Sequence, residues 1–117
     1  MGRYQHKMDS EDIVDKLRYV AGFFDIAGDA RIEKGTRLLV SIDRPLASRP
    51  NLMRIKEMFG GLVLPSTRGW CVWKVYDDDA IRFVRFIKPH TRIKRRQLEA
   101  AEGFSMPASD IRLRRAA

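Results

Sequence analysis

The chain opens its ordered pattern with apolar residues at Ile13, Leu17, Val20, Ala21 and Phe24. They recur every three or four positions, which predicts a helix over residues 10–27. Asp9 or Ser10 suits the cap, Glu11 and Asp12 place negative charge in the first turn, and Gly28 ends the helix. The period then shortens to two. Residues 29–33 alternate Ala30 and Ile32 against Asp29, Arg31 and Glu33, and Lys34-Gly35 reads as a tight hairpin turn. A second strand over 36–43 puts Leu38, Val40 and Ile42 on one face and Arg37, Leu39, Ser41 and Asp43 on the other. After a loop over 44–49, Leu52, Ile55 and Phe59 mark a helix over 50–59, with Pro50 at its tolerated first position and Gly60-Gly61 at its end.

The pattern then repeats in kind. Strands over 62–64 and 70–76 flank a turn. In the second of these, Cys71, Trp73 and Val75 share one face, while Val72, Lys74 and Tyr76 share the other. Asp77-Asp78-Asp79 precedes a helix over 80–87 with the stripe Ala80, Phe83, Val84 and Ile87, stopped by Pro89. A last helix covers 91–104. Residues 1–8 read as a loose polar arm and 105–117 as a frayed basic tail. The order is helix, hairpin, helix, hairpin, helix, helix. It predicts an α+β domain, 1–117 with its core at 10–104, whose antiparallel four-stranded sheet is covered by helices on one face.

Charge sharpens this picture. The formal net charge is +8, with 23 Lys and Arg against 15 Asp and Glu. Residues 82–97 hold Arg82, Arg85, Lys88, Arg92, Lys94, Arg95 and Arg96 with no acid. Such a run is either a solvated face or a phosphate-binding one, and its density and sign favour a polyanion. The single cysteine, Cys71, excludes an internal disulfide, and one Cys with two His argues against zinc. No apolar run reaches membrane-spanning length and no signal-peptide core is present, so a soluble, intracellular protein is expected. Nothing in the chain suggests a small-molecule substrate. His6 and His90 have no evident catalytic partner. Trp70, Trp73, Phe83 and Phe86 read as core in preference to base-stacking groups.

Glycine inside a helix costs about 1 kcal/mol against alanine, so Gly22 needs a compensating close contact between helices. The nine residues Val20-Ala21-Gly22-Phe23-Phe24-Asp25-Ile26-Ala27-Gly28 resemble the motif of the LAGLIDADG homing endonucleases, matching at Ala21, Gly22, Asp25 and Gly28. Leu52–Gly61 looks like that family's second helix with its terminal glycines. Ile87–Gln97 is similar to its I-x-P-x-x-x-x-K-x-x-Q segment. The resemblance implies an αββαββα domain whose uncovered sheet face forms a DNA-binding saddle. One motif per chain implies a homodimer joined through Val20, Ala21, Gly22, Phe24 and Asp25. Two-fold symmetry then implies a long, near-palindromic double-stranded target.

The family activity is cleavage of both DNA strands with a divalent ion, and Mg2+ suits carboxylate and phosphate oxygens. The resemblance places Lys94 near the scissile phosphate with Gln97 beside it, and sets Arg44 and Arg49 near the other active-site polar positions. The motif's eighth letter, an acid that binds the metal, is here Ala27. The Gly28 backbone and Asp29 remain as candidate metal donors, whereas Asp25 points about 200° round the helix from Ala27. For DNA contacts the expected set is Asp29, Arg31, Glu33, Arg37, Leu39, Ser41, Arg68, Lys74 and Tyr76 on the sheet, with Arg92 and Arg95 at the phosphates; ordinary exposed strand residues would look the same. The expected function is sequence-specific DNA binding with cleavage impaired or lost. A non-catalytic regulator, an intron-RNA maturase or an RNA-associated protein on the same fold is the alternative.

Overall fold

The computed structural model describes residues 2–103. The expected tail at 105–117 lies outside the described residues. Helix α1 spans Gly2–Ala27, so the expected arm at 1–8 is helical from Gly2 and the acids at 9–12 lie inside the helix instead of capping it. The strands are β1 (Gly28–Glu33), β2 (Arg37–Pro45), β3 (Leu62–Pro65) and β4 (Trp70–Tyr76). Helices α2 (Arg49–Phe59) and α3 (Asp77–Ile87) follow the two hairpins. Short 3-10 turns occupy Leu46–Ser48 and Lys88–His90, and a further helix starts at Arg95, four residues later than expected. Pro89 delays it, because the 3-10 turn around that proline must finish first.

All strand pairs are antiparallel and the sheet order is β1-β2-β4-β3, with Gly28 opposite Ile42 and Ile42 opposite Trp73. The β1–β2 turn needs left-handed backbone at Lys34 and Gly35, which have φ of 54° and 74°. That twist matches the hairpin, and the Thr36 N–H closes the turn on the Glu33 carbonyl. Gly61 is required twice over: its φ is +94°, and a Cβ there would lie 2.3 Å from the Lys74 carbonyl oxygen.

One core fills the space between the helices and one sheet face. Val20, Ala21 and Phe24 of α1, Leu52, Ile55 and Phe59 of α2, and Ala80, Phe83, Val84 and Ile87 of α3 meet Val40, Ile42, Trp73 and Val75. Phe83 sits at its centre, in ring contact with Phe24, Phe59 and Trp73. Three carbonyls at the end of α2 find partners: Arg82 donates to the Phe59 carbonyl, Trp73 Nε1 to the Gly60 carbonyl, and the Gly60 N–H to the Lys56 carbonyl. The helical stripe of α1 reaches the core only from Leu17 onward, and Ile13 is exposed. Two of the four aromatics expected in the core are not there, since Trp70 and Phe86 are 43% and 52% exposed. Trp70 shares the sheet face opposite the helices, and Phe86 falls beside the buried positions of α3.

Candidate nucleic-acid interface

The end of α1, the start of β1 and residues 92–97 converge. Asp25 is the first tie: its two carboxylate oxygens accept the backbone N–H groups of Arg92 at 2.9 Å and Lys94 at 3.1 Å. A carboxylate is good at this because it satisfies two donors at once. Lys94 then turns its Nζ onto the Gly28 carbonyl, and its ammonium lies 5.9 Å from the centre of the Phe24 ring. A cation at the C-terminal end of a helix is electrostatically favoured. Gln97 completes the cluster. Its Nε2 donates to Asp29 Oδ1 at 3.1 Å, and its Oε1 accepts the Ala30 N–H at 3.2 Å. Lys94 and Gln97, three residues apart, are thereby fixed on β1.

Of the remaining positions expected at the catalytic centre, Arg44 and Arg49 are not in this cluster. Arg44 is a strand residue of β2 and not part of a loop; its guanidinium lies over the Phe23 ring at 5.2 Å. Arg49 is the exposed first residue of α2. The Lys94 contact to the Gly28 carbonyl was not legible in the sequence, where the motif suggested that carbonyl as a metal donor.

A divalent ion would need ligands here. Ala27 offers none and packs against the core. The Gly28 carbonyl is bonded to an ammonium, Asp29 is held by Gln97 with Arg31 at 3.8 Å, and Asp25 is occupied by backbone donors. Among the described residues no group of three or more His, Cys, Asp or Glu is placed to hold a metal. The donor set of one chain does not fit a divalent cation.

The uncovered sheet face carries Asp29, Arg31 and Glu33 on β1, Arg37, Leu39, Ser41 and Asp43 on β2, Lys74 and Tyr76 on β4. Arg37 stacks on Tyr76 at 4.1 Å and reaches Asp77 at 3.4 Å. Leu39 was expected to be a contact residue, but it is 1% exposed. Arg31 and Tyr76 sit opposite it on neighbouring strands, so it lies as a floor between two larger side chains. Arg68 is exposed in the β3–β4 turn. The basic run divides: Arg82 is tied to Phe59 and Asp79, and Lys88 to Glu102, whereas Arg92, Arg95 and Arg96 are exposed.

The residues expected at a dimer contact divide as well. Val20, Ala21 and Phe24 are buried in the chain's own core and cannot meet a second copy. Their spacing could not distinguish an internal helix contact from an external one. Gly22 faces outward, with nothing within 4 Å of a Cβ built there, and Ile26, one turn on, is 73% exposed. A groove of about 600 Å³ beside Gly22 is lined by Arg18, Asp25, His90, Arg92 and Arg95. No helix among the described residues is long and apolar enough to cross a membrane.

No family model matches the sequence, and no curated protein matches it. Solved structures do. The homing endonuclease I-CvuI, in complex with the I-CreI target in 2 mM Mg with the DNA not cleaved, superposes with a TM-score of 0.66 at 19% identity, covering 78% of this chain and 66% of that one. The archaeal intron-encoded homing endonuclease I-Vdi141I, complexed with DNA, gives 0.66 at 20% identity over 86% of this chain and 71% of its own. The LAGLIDADG homing endonuclease I-SmaMI, bound to cleaved DNA, gives 0.67 at 13% identity over 82% of this chain and 37% of its own. With its four-stranded antiparallel sheet, its helices on one side and its motif helix leading into the first strand, this chain has the fold of the LAGLIDADG homing endonucleases.

Proposed function

We propose that this protein binds a long, near-palindromic stretch of double-stranded DNA as a homodimer, and that metal-dependent cleavage of both strands is impaired or lost in it. The observation that carries this reading is the Asp25–Lys94–Gln97 cluster, which fixes a cation at the rim of the uncovered sheet face while Ala27 stands where the motif has its acid. A basic edge of Arg92, Arg95 and Arg96 next to a sheet face of mixed donors and acceptors suits phosphate positioning together with base contacts. The fold it shares with endonucleases solved on DNA supports the same partner. The outward Gly22 and Ile26 support pairing through α1, with close approach at the glycine. Lys94 serves here as a fixed counter-charge, binding Mg2+ is weakened, and Asp25 acts as a structural cap.

The decisive experiment is selection from a random duplex library, followed by titration of the chosen site at several salt concentrations and a nicking assay with Mg2+. One long near-palindrome should emerge. Six to ten phosphate contacts give a slope of log K against log salt of roughly −5 to −9. Nicking should be slow or absent. A nearly flat salt slope, or preference for structured RNA over every duplex, would refute DNA as the partner. Vigorous Mg2+-dependent cleavage would refute the loss of activity.

A further inference from the structure

The uncovered sheet face is not uniform. Around β1 and the start of β2 it is polar. Toward the β3–β4 turn it is apolar: Leu62 and Leu64 of β3 lie opposite Lys74 and Val72, and Trp70 continues the same face of β4. Leu62, Leu64 and Trp70 are 53%, 40% and 43% exposed, whereas Val72 between them is 8% exposed and makes a floor. Exposed leucines on alternate residues of an outward face stand out, because a solvated face normally alternates to polar there. The patch is continuous with Lys74 and Ser41, which pair across β4 and β2, and Arg68 stands in the adjoining turn; Asp43, opposite Val72, is the one acid beside it, so the surrounding charge is net positive. That charge suits a polyanion and argues against an acid-poor, basic protein surface as the occupant.

We propose that this apolar half of the face reads thymine methyl groups in the major groove, so that A·T pairs are specified there by contact, while the polar half specifies bases by hydrogen bonds. The inference rests on the proposed function and adds to it the chemical class of base pair recognised. The C5-methyl of thymine is the one apolar feature of the major-groove edges, and aliphatic side chains are its partners. Spacing agrees. Leu62 and Leu64 are two residues apart, about 6.6 Å along a strand, which is about two base steps of 3.4 Å for a strand running along the groove. β3 is an edge strand bonded only to β4, so the β3–β4 edge of the sheet can enter a groove that admits two strands.

The test uses the full chain and its selected duplex. In matched duplexes, thymine is replaced by uracil at the half-site positions selected as A·T, which removes the methyl and nothing else. Each contacted methyl should be worth about fourfold in affinity. In Leu62→Ala and Leu64→Ala, both exposed positions whose truncation spares the core, the uracil penalty should disappear, and a penalty undiminished in both variants would overturn the contact. Unaltered binding after every thymine is replaced would overturn the inference alone and leave the patch to a protein partner. Failure to bind any duplex would overturn it together with the proposed function.

Discussion

At the scale of single residues, the cluster around Lys94 depends on Gln97 more than the sequence suggested. Its amide is split between two tasks, donating to Asp29 and accepting from the Ala30 N–H. Gln97→Ala leaves a backbone donor without its acceptor and a carboxylate without its orienting amide, at a cost of about 1–3 kcal/mol. The urea midpoint should fall with the m-value unchanged; an unshifted midpoint would mean that water replaces the side chain fully. Much of this site was legible in residue identity, since Lys94 and Gln97 were candidates from the motif segment and Asp29 from its place just after the motif on the first strand. The direction of Lys94 was not. A motif letter gives side-chain type and place, whereas the choice between a phosphate and the Gly28 carbonyl is decided by which acceptor the folded backbone leaves open.

At the scale of elements, the junction of α1 with β1 is the tightest point near the site. A Cβ on Gly28 would lie 2.1 Å from the Phe24 ring, which is fully buried against Phe83 and has nowhere to retreat. Gly28→Ala should therefore lower stability by about 1–3 kcal/mol through overpacking, read as a drop in thermal midpoint. A variant as stable as the parent would show that the ring has room to rotate. The elements themselves were well encoded in the hydrophobic period, as in α3, where all four predicted stripe residues are buried. Strand β4 was bounded correctly for the same reason. Leu39 and Trp70 departed from expectation for one reason. Both lie on the uncovered sheet face, where neighbours on adjacent strands decide burial, and those neighbours are set by register and not by spacing along one strand.

At the scale of the whole molecule, the proposed dimer rests on the outward face of α1. Nothing lies within 4 Å of a Cβ built on Gly22 in one chain, so a side chain there points into open space and spares the monomer. Gly22→Leu should separate a dimer formed through α1 and abolish tight DNA binding, with monomers seen in sedimentation. A dimer that survives the substitution would remove α1 from the interface.

The hydrogen bonds that finish the site join residues 66 to 69 positions apart in the chain: Gly28 to Lys94, Ala30 and Asp29 to Gln97, Asp25 to Arg92 and Lys94. Contacts so distant in sequence repay their loop-closure cost only after the intervening hairpins and helices are in place. The cluster therefore closes together with the final helix, which also carries Leu98 and Ala101 into the core. During synthesis, a growing polypeptide can complete neither cluster nor core until that helix has emerged.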